Sequence, residues 1–180
     1  MILEPIQSLL KQANFDCSLA PATEKAPMDR LLVFLGFDYK QRERIVEIIA
    51  REQQFDQAFK KTAAPDHYFL IQFQIQLPFE VQELASNQVA SLILFLNQLL
   101  DWPGFELNEL NNRVSYRYVW LIKQTALDEY LITNIIGNLM LCLDMFTETI
   151  EHIATSQATF NELLEQILQF SSQIRPAPPA

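Results

Sequence analysis

The sequence predicts an α+β domain with a mostly antiparallel sheet, in the element order α-β-β-β-α-β-β-α followed by a C-terminal helix. Three observations predict this class: a strict apolar–polar alternation in HYFLIQFQIQLPFEV, two strand-like runs around Asn111-Asn112, and a helical period over residues 126–153. A chain of 180 residues suits one domain. We place this domain at residues 1–153, a helical extension at 154–172, and a mobile proline-rich tail at 173–180.

The N-terminal part predicts a helix, a connector and then strands. Apolar residues at helical spacing predict a short amphipathic helix over residues 3–14, and two prolines without periodicity predict a connector over 15–29. The compact apolar run RLLVFLGFD, residues 30–38, predicts a mostly buried strand. Residues 43–50 fit either a helix, by the spacing of their isoleucines, or a strand after a DYKQ turn. Their β-branched content favours the strand.

The middle of the chain carries the clearest signal for a strand. Phe69, Ile71, Phe73, Ile75 and Leu77 alternate with polar or solvent-facing residues, which predicts a strand with one face in the core. Pro78 lacks a ladder donor and is expected to end the regular pairing. A helix is predicted over residues 85–101, with Ser86 as its N-cap.

The C-terminal half predicts a hairpin and two helices. The runs Phe105–Leu110 and Arg113–Ile122 flank an Asn111-Asn112 turn, because asparagine tolerates positive φ. In the second run, Val114 and the aromatic residues take one face and the arginines take the other. The long helix over 126–153 begins near a capping-box-like Thr125-x-x-Asp128, and a further helix spans Thr159–Phe170.

Composition excludes several kinds of partner. Apolar residues make up 49% and charged residues 19%, while the net charge is −9, so we expect neither nucleic acid nor a membrane surface as a partner. The most apolar window, residues 131–146, is interrupted by polar side chains and falls short of a membrane span. The start MILEPIQSLLKQ lacks a basic leader, and two distant cysteines indicate a reducing compartment. We therefore expect a cytoplasmic protein.

No pattern of residues predicts a reaction. Three glycines do not build a phosphate loop, and Glu148-His152 and Asp66-His67 are single pairs of the kind found on exposed surfaces. Cys142 is predicted to be buried, whereas Cys17 lies in the connector, where exposure is possible, without a basic neighbour to activate it. Glu106 and Glu109 differ by three positions on a presumed strand and point to opposite faces. We expect no catalytic residue, no metal and no cofactor.

Four segments of the sequence carry a resemblance to a known family: RLLVFLGFDYKQRERIVEI, YFLIQFQIQLPFEV, GFELNELNNRVSYRYVWLI and LDEYLITNIIGNLMLCLDMFTETIEHI. Together they resemble the YbjN-type domains, whose fold is that of the type III secretion chaperones. The resemblance covers about residues 30–153 and lies in pattern and order. It implies a small acidic domain, often dimeric, that binds a protein partner or has no assigned activity. It also favours a strand at residues 43–50.

The expected function is therefore that of a non-catalytic protein-binding module, a homodimer that holds a partner protein or an extended segment of one. An apolar surplus motivates it: Phe79 and Val81 after Pro78, and Leu94 and Phe95 on the middle helix, exceed what one core requires. Arg113 and Arg117 lie on a sheet surface that a partner can meet. The alternative functions are a small-molecule or stress-sensing regulatory domain and, after it, an enzyme with an unrecognised pocket.

Overall fold

A computed structural model describes residues 2–24, 26–53 and 67–174. It contains one six-stranded antiparallel sheet and, among these residues, four α-helices, which confirms the α+β class. The strand order is β1-β2-β3-β4-β6-β5. The elements are α1 (Leu3–Gln12), β1 (Cys17–Ala20), β2 (Arg30–Phe37), β3 (Glu43–Gln53), β4 (Tyr68–Glu80), α2 (Ser86–Leu99), β5 (Phe105–Asn108), β6 (Arg113–Lys123), α3 (Glu129–Ala154) and α4 (Phe160–Ile174).

Strand β1 lies where the sequence predicted only a connector. It pairs with the first half of β2, with Cys17 opposite Val33 and Ala20 opposite Arg30. Four residues are too few to show an alternating pattern, so the strand is formed by its pairing with β2 rather than by a local signal. This pairing also buries Cys17, contrary to the exposure considered for it, and burial raises the pKa of its thiol.

Residues 43–50 form a strand, as their β-branched content favoured. Strand β3 pairs with β2 on one side and β4 on the other, and Val46 and Ile48 are fully buried. The β4 register becomes irregular between Gln76 and Glu80, as Pro78 predicted. However, the strand itself continues to Glu80.

The helices cover one face of the sheet. Helix α1 packs on β1, β2 and β3, α3 contacts α1, α2 and β4, and α2 contacts β5. The opposite sheet face has no helix over it among the described residues, and Ile45, Val119 and Leu121 are exposed there. The centre of the core is formed by fully buried side chains of the sheet and the three helices: Ile6, Leu10, Leu31, Val33, Val46, Ile48, Ile71, Phe73, Val89, Leu92, Val114, Ile132, Ile136 and Ile150.

Two predicted helix caps differ from the structure. Ser86 is the first residue of α2 rather than a side-chain cap, because a 3-10 turn over Glu83–Ala85 leads directly into the helix. Helix α3 begins at residue 129, and Asp128 is its N-cap, accepting a hydrogen bond from Leu131 N at 3.1 Å. Thr125 belongs to the preceding 3-10 turn. The predicted tail at 173–180 lies largely outside the described residues, which end at 174.

The turn between β5 and β6 lies at residues 109–112, with Asn112 at a φ of 52°, as predicted for asparagine there. Just before β5, Gly104 passes close to β6. A Cβ on Gly104 would lie 2.6 Å from the backbone oxygen of Arg117, so only glycine allows this approach.

A buried ion-pair network joins the β2–β3 turn to α3. Glu151 is 4% exposed, and its carboxylate accepts hydrogen bonds from Arg42 at 2.6 and 3.0 Å, from Lys40 Nζ at 2.9 Å and from the Tyr39 hydroxyl. Arg42 Nε also donates to Asp38 at 2.7 Å, and Asp38 accepts from the backbone of the same turn. Burial favours a higher pKa for Glu151, but the hydrogen bonds from Arg42, Tyr39 and Lys40 outweigh it and lower this pKa to about 2.

Helix α3 is the one helix among the described residues with the length and mean hydropathy needed to cross a membrane. Its buried side packs on the sheet and α1, and it also carries the paired carboxylate of Glu151. Asn134, Asn138 and Glu148 lie on its exposed side. Burial within the domain thus accounts for much of the apolar composition of this helix.

We predict that Glu151→Gln lowers the free energy of unfolding by about 2 kcal/mol at pH 7, because it weakens a buried charge pair. The pKa of Glu151 is lowered in the folded state, so its stabilisation is complete above the unfolded pKa and is lost as pH falls through the folded value of about 2. Urea unfolding from pH 7 downward therefore shows the two proteins converging below about pH 4.5. Glu148→Gln, at an exposed position of the same helix, is the control, and a constant difference at all pH values would contradict the assignment.

Candidate protein-binding surface

Phe79 and Val81 do not lie on a surface. They are 7% and 3% exposed, so the prediction that they contribute surplus apolar surface is wrong. Side-chain alternation in β4 continues past Pro78, which turns Phe79 toward the core. Val81 N then donates to the Asn112 backbone oxygen at 2.8 Å, which ties the end of β4 to the β5–β6 turn.

Leu94 and Phe95, adjacent on α2, have different surroundings. Leu94 is 67% exposed, as expected for a residue outside the buried stripe of α2. Phe95 packs edge-to-face on Phe160, the first residue of α4, with ring centroids 5.9 Å apart. Gln88 accepts from Phe160 N at 3.0 Å beside this contact. Phe95 therefore holds α4 against α2, and only Leu94 of the two is left for a partner.

Arg113 and Arg117 both form ion pairs within the sheet. Arg113 pairs with Glu80 on β4, and Arg117 Nε and Nη2 both donate to Glu106 on β5. The burial pattern of β6 confirms the prediction that the arginines lie on the face opposite Val114. Pairing with Glu106 raises the pKa of Arg117. That these arginines meet a partner stays a prediction.

An apolar groove that sequence reasoning missed lies between the end of α2 and the middle of α3. We call it the α2–α3 groove. It has a volume of about 300 Å³ and is lined by Leu99, Leu100, Asp101, Trp102, Asn138, Leu141, Cys142 and Met145. Three of these apolar side chains are more than half exposed: Leu99 at 62%, Leu141 at 55% and Met145 at 58%. The sequence feature that could have indicated the groove is the presence on α3 of apolar residues outside the stripe that faces the core. Leu141 and Met145 are two of them.

The groove extends along α3 toward its N-terminus. A second depression, lined by Thr133, Asn134, Gly137, Asn138 and Leu141, shares the last two residues with the groove. A Cβ on Gly137 would meet no atom within 4 Å, so none of the described residues occupies the space beside it. From Thr133 to Met145 the helix rises about 18 Å, or three turns.

The histidines and cysteines offer little chemistry. His67 Nδ1 lies 2.7 Å from Glu52 across β3 and β4, an exposed pair that sequence reasoning did not anticipate, and His152 lies 4.0 Å from Glu148 on the surface, as predicted. Asp66 lies outside the described residues. Within the described ranges, no group of three or more His, Cys, Asp or Glu is placed to hold a metal ion. Cys142 is buried as predicted, and burial raises the pKa of its thiol.

The fold and the groove define an α+β protein with an unpartnered apolar surface on its helical layer. Comparison with known protein families, curated proteins and solved structures found no match. The chemistry of the surface is therefore what points to a function.

We predict that Leu139→Ala and Leu141→Ala, two residues apart on α3, differ sharply in stability. Leu139 is buried, so its truncation leaves a cavity and lowers the free energy of unfolding by about 3 kcal/mol. Leu141 faces the groove, so its truncation changes stability by no more than about 0.5 kcal/mol. Urea unfolding monitored by circular dichroism measures both. Equal losses would mean that Leu141 is covered within the chain.

We predict that Gly137→Ala raises the free energy of unfolding by about 0.5–1 kcal/mol. Glycine is unfavourable inside a helix, and the added methyl group meets nothing. Gly104→Ala is the matched opposite, because its methyl group collides with the backbone of β6 and destabilises the protein. Thermal unfolding of the two variants and the wild type measures whether each substitution stabilises or destabilises the protein. A loss of stability in Gly137→Ala would contradict an empty space at this position.

Proposed function

We propose that this protein is a non-catalytic protein-binding module that works as a homodimer and holds a partner protein or a segment of one. The observation that carries the proposal is the set of exposed apolar side chains along the α2–α3 groove, with Leu94 nearby in the chain on α2. Leaving large apolar side chains in water is unfavourable, and contiguous patches of them mark interaction sites.

The order of elements supports the same proposal. Apart from β1 and α4, the chain has the order α-β-β-β-α-β-β-α, which is the order behind its resemblance to YbjN-type domains and the type III secretion chaperones. A fold likeness says nothing about chemistry, so the groove carries more weight than the order.

The chemistry of the two thiols also favours binding over catalysis. Both cysteines are buried, and burial raises the pKa of each, which lowers the thiolate fraction available for attack. Tyr116, whose hydroxyl donates to the Trp102 backbone oxygen at 2.6 Å, is held as a structural hydrogen-bond donor, with a pKa raised by burial.

A small-molecule regulatory domain is the second candidate. Its support is the volume of the α2–α3 groove, about 300 Å³, which matches the smaller ligand pockets of proteins. A metabolite that raises the melting temperature of the wild type, but not of Leu141→Ser, would favour this candidate.

We predict that affinity capture from the native cell retains a partner on the wild type and loses it on a Leu141→Ser, Met145→Ser double variant. The matched control is Leu84→Ser with Leu110→Ser, which removes two almost fully exposed leucines away from the groove and leaves the partner bound. Mass spectrometry compares the three samples. Retention of the same proteins by all of them would contradict a role for the groove.

The homodimer is tested separately, by light scattering on the purified protein at micromolar concentration. We expect twice the mass of the chain. A monomer at all concentrations would contradict the dimeric part of the proposal and leave the partner-binding part to the capture experiment.

A further inference from the structure

We propose that the α2–α3 groove binds a basic amphipathic helix of a protein partner. This inference rests on the proposed function and adds the chemistry of the partner. Its grounds are the shape of the groove, the apolar side chains that line it and the absence of Lys and Arg from α2, α3 and α4.

The groove has the length and lining that an amphipathic helix requires. Together with the depression at Gly137 it follows α3 for about 18 Å, which accommodates about three turns of a second helix. Helices bound in grooves insert apolar residues at i, i+3 or i+4, and i+7. Leu99, Leu141 and Met145 supply the apolar contacts, and methionine adapts its shape to the residue it meets.

Gly137 is an independent feature that fits a helical partner. It lies inside α3, where alanine would be more stable, and no atom within the described ranges approaches the position of its missing side chain. Glycine on an exposed helix face allows the backbone of another element to come close. The arrangement suits a helix that crosses α3 at this point.

All the lysine and arginine residues of the described structure lie on α1, on the sheet or in the β2–β3 turn. Helix α2 carries no charged residue, and residues 124–174 contain no Lys or Arg at all. The same stretch contains seven acidic residues: Asp128, Glu129, Asp144, Glu148, Glu151, Glu162 and Glu165. Helices α3 and α4 are therefore acidic, whereas α2 is uncharged and α1 carries Lys11.

Only some of these acids are neutralised within the chain. Arg44 pairs with Asp144, and Arg42 pairs with Glu151. Asp101, in the wall of the groove, has no cationic partner among the described residues, and Glu148 has only a 4.0 Å approach to His152. An apolar groove with Asp101 in its wall, and with Glu148 three positions after Met145 on α3, selects a partner whose apolar face is flanked by Lys or Arg.

The same charges disfavour other occupants. A second copy of this chain would bring the same acidic α3 and α4, which contain no Lys or Arg, so like charges would oppose contact at this face. Anionic lipid headgroups and nucleic-acid phosphates are disfavoured for the same reason. The proposed homodimer must therefore use another surface.

The test uses two synthetic helical peptides of about 18 residues with the same leucine face, one with lysine and the other with glutamate at its polar positions. Fluorescence anisotropy with the full chain measures their affinities. We expect the lysine peptide to bind at least tenfold more tightly than the glutamate peptide. We also expect its binding to weaken as salt rises from about 0.1 M to about 1 M, which shortens the screening length from about 10 Å to about 3 Å.

Four variants then locate the site. Leu141→Ser with Met145→Ser lowers affinity for the lysine peptide at least tenfold, and Asp101→Asn with Glu148→Gln lowers it severalfold. Glu43→Gln with Glu109→Gln, which removes two exposed acids that do not line the groove, leaves the affinity unchanged and excludes a bulk charge effect. Gly137→Ala weakens binding although it stabilises the fold, which a general loss of structure cannot produce.

The inference is overturned if the lysine peptide fails to bind, if the glutamate peptide binds equally well, or if the groove variants bind the lysine peptide as the wild type does. These outcomes are distinct from failure of the proposed function. One outcome would support the binding module and contradict the basic helix: the Leu141→Ser, Met145→Ser variant no longer captures a native partner, but the wild type does not bind the lysine peptide.

Discussion

The pairing of Arg42 with Glu151 is the interaction on which the exposed surface depends. It connects the β2–β3 turn to the C-terminal end of α3, and Arg44 makes a second link to Asp144 two turns earlier. The buried apolar stripe of α3 sets which side of the helix faces the sheet. These two links hold one flank of α3 toward the turn in the same orientation, with Leu139 and Leu143 facing the core and Leu141 and Met145 facing outward.

The sheet was largely predictable from the sequence because its signals are local. In β4, the alternation of apolar residues with glutamines directly reflects a strand with one face buried, and the asparagine turn before β6 needs only residues that tolerate positive φ. Strand β1 shows the opposite case. Its four residues CSLA have no pattern of their own, and they form a strand because β2 offers an edge.

The error at Phe79 and Val81 has a physical reason. Pro78 cannot donate to a ladder, and the register with β6 does shift beside it, but a missing N–H does not change the direction in which the next side chain points. The alternation of side chains along β4 is therefore a better guide to the burial of Phe79 than the expectation that Pro78 ends the regular pairing. Phe95 differs, because its cover comes from α4, a helix whose docking no local pattern specifies.

The groove could be predicted only in part. The sequence shows that α3 carries apolar residues outside one stripe, but it does not show that Glu151 and Asp144 pair with arginines 109 and 100 positions away, which hold one flank of α3 toward the β2–β3 turn. The charge of the residues around the groove was easier to infer from the sequence than the shape of the groove. The absence of Lys and Arg from residues 124–174 is visible in the sequence, although its meaning depends on knowing that these residues form one layer.

Acidity and apolar exposure on the same layer have a joint physical consequence. Exposed leucines and methionine favour association of any kind, whereas acidic helices without Lys or Arg oppose association with copies of themselves. The combination keeps the groove accessible in solution and leaves it attractive to a surface of the opposite sign. Long-range attraction then guides the approach, and burial of Leu99, Leu141 and Met145 supplies the short-range stabilisation once the charges have met.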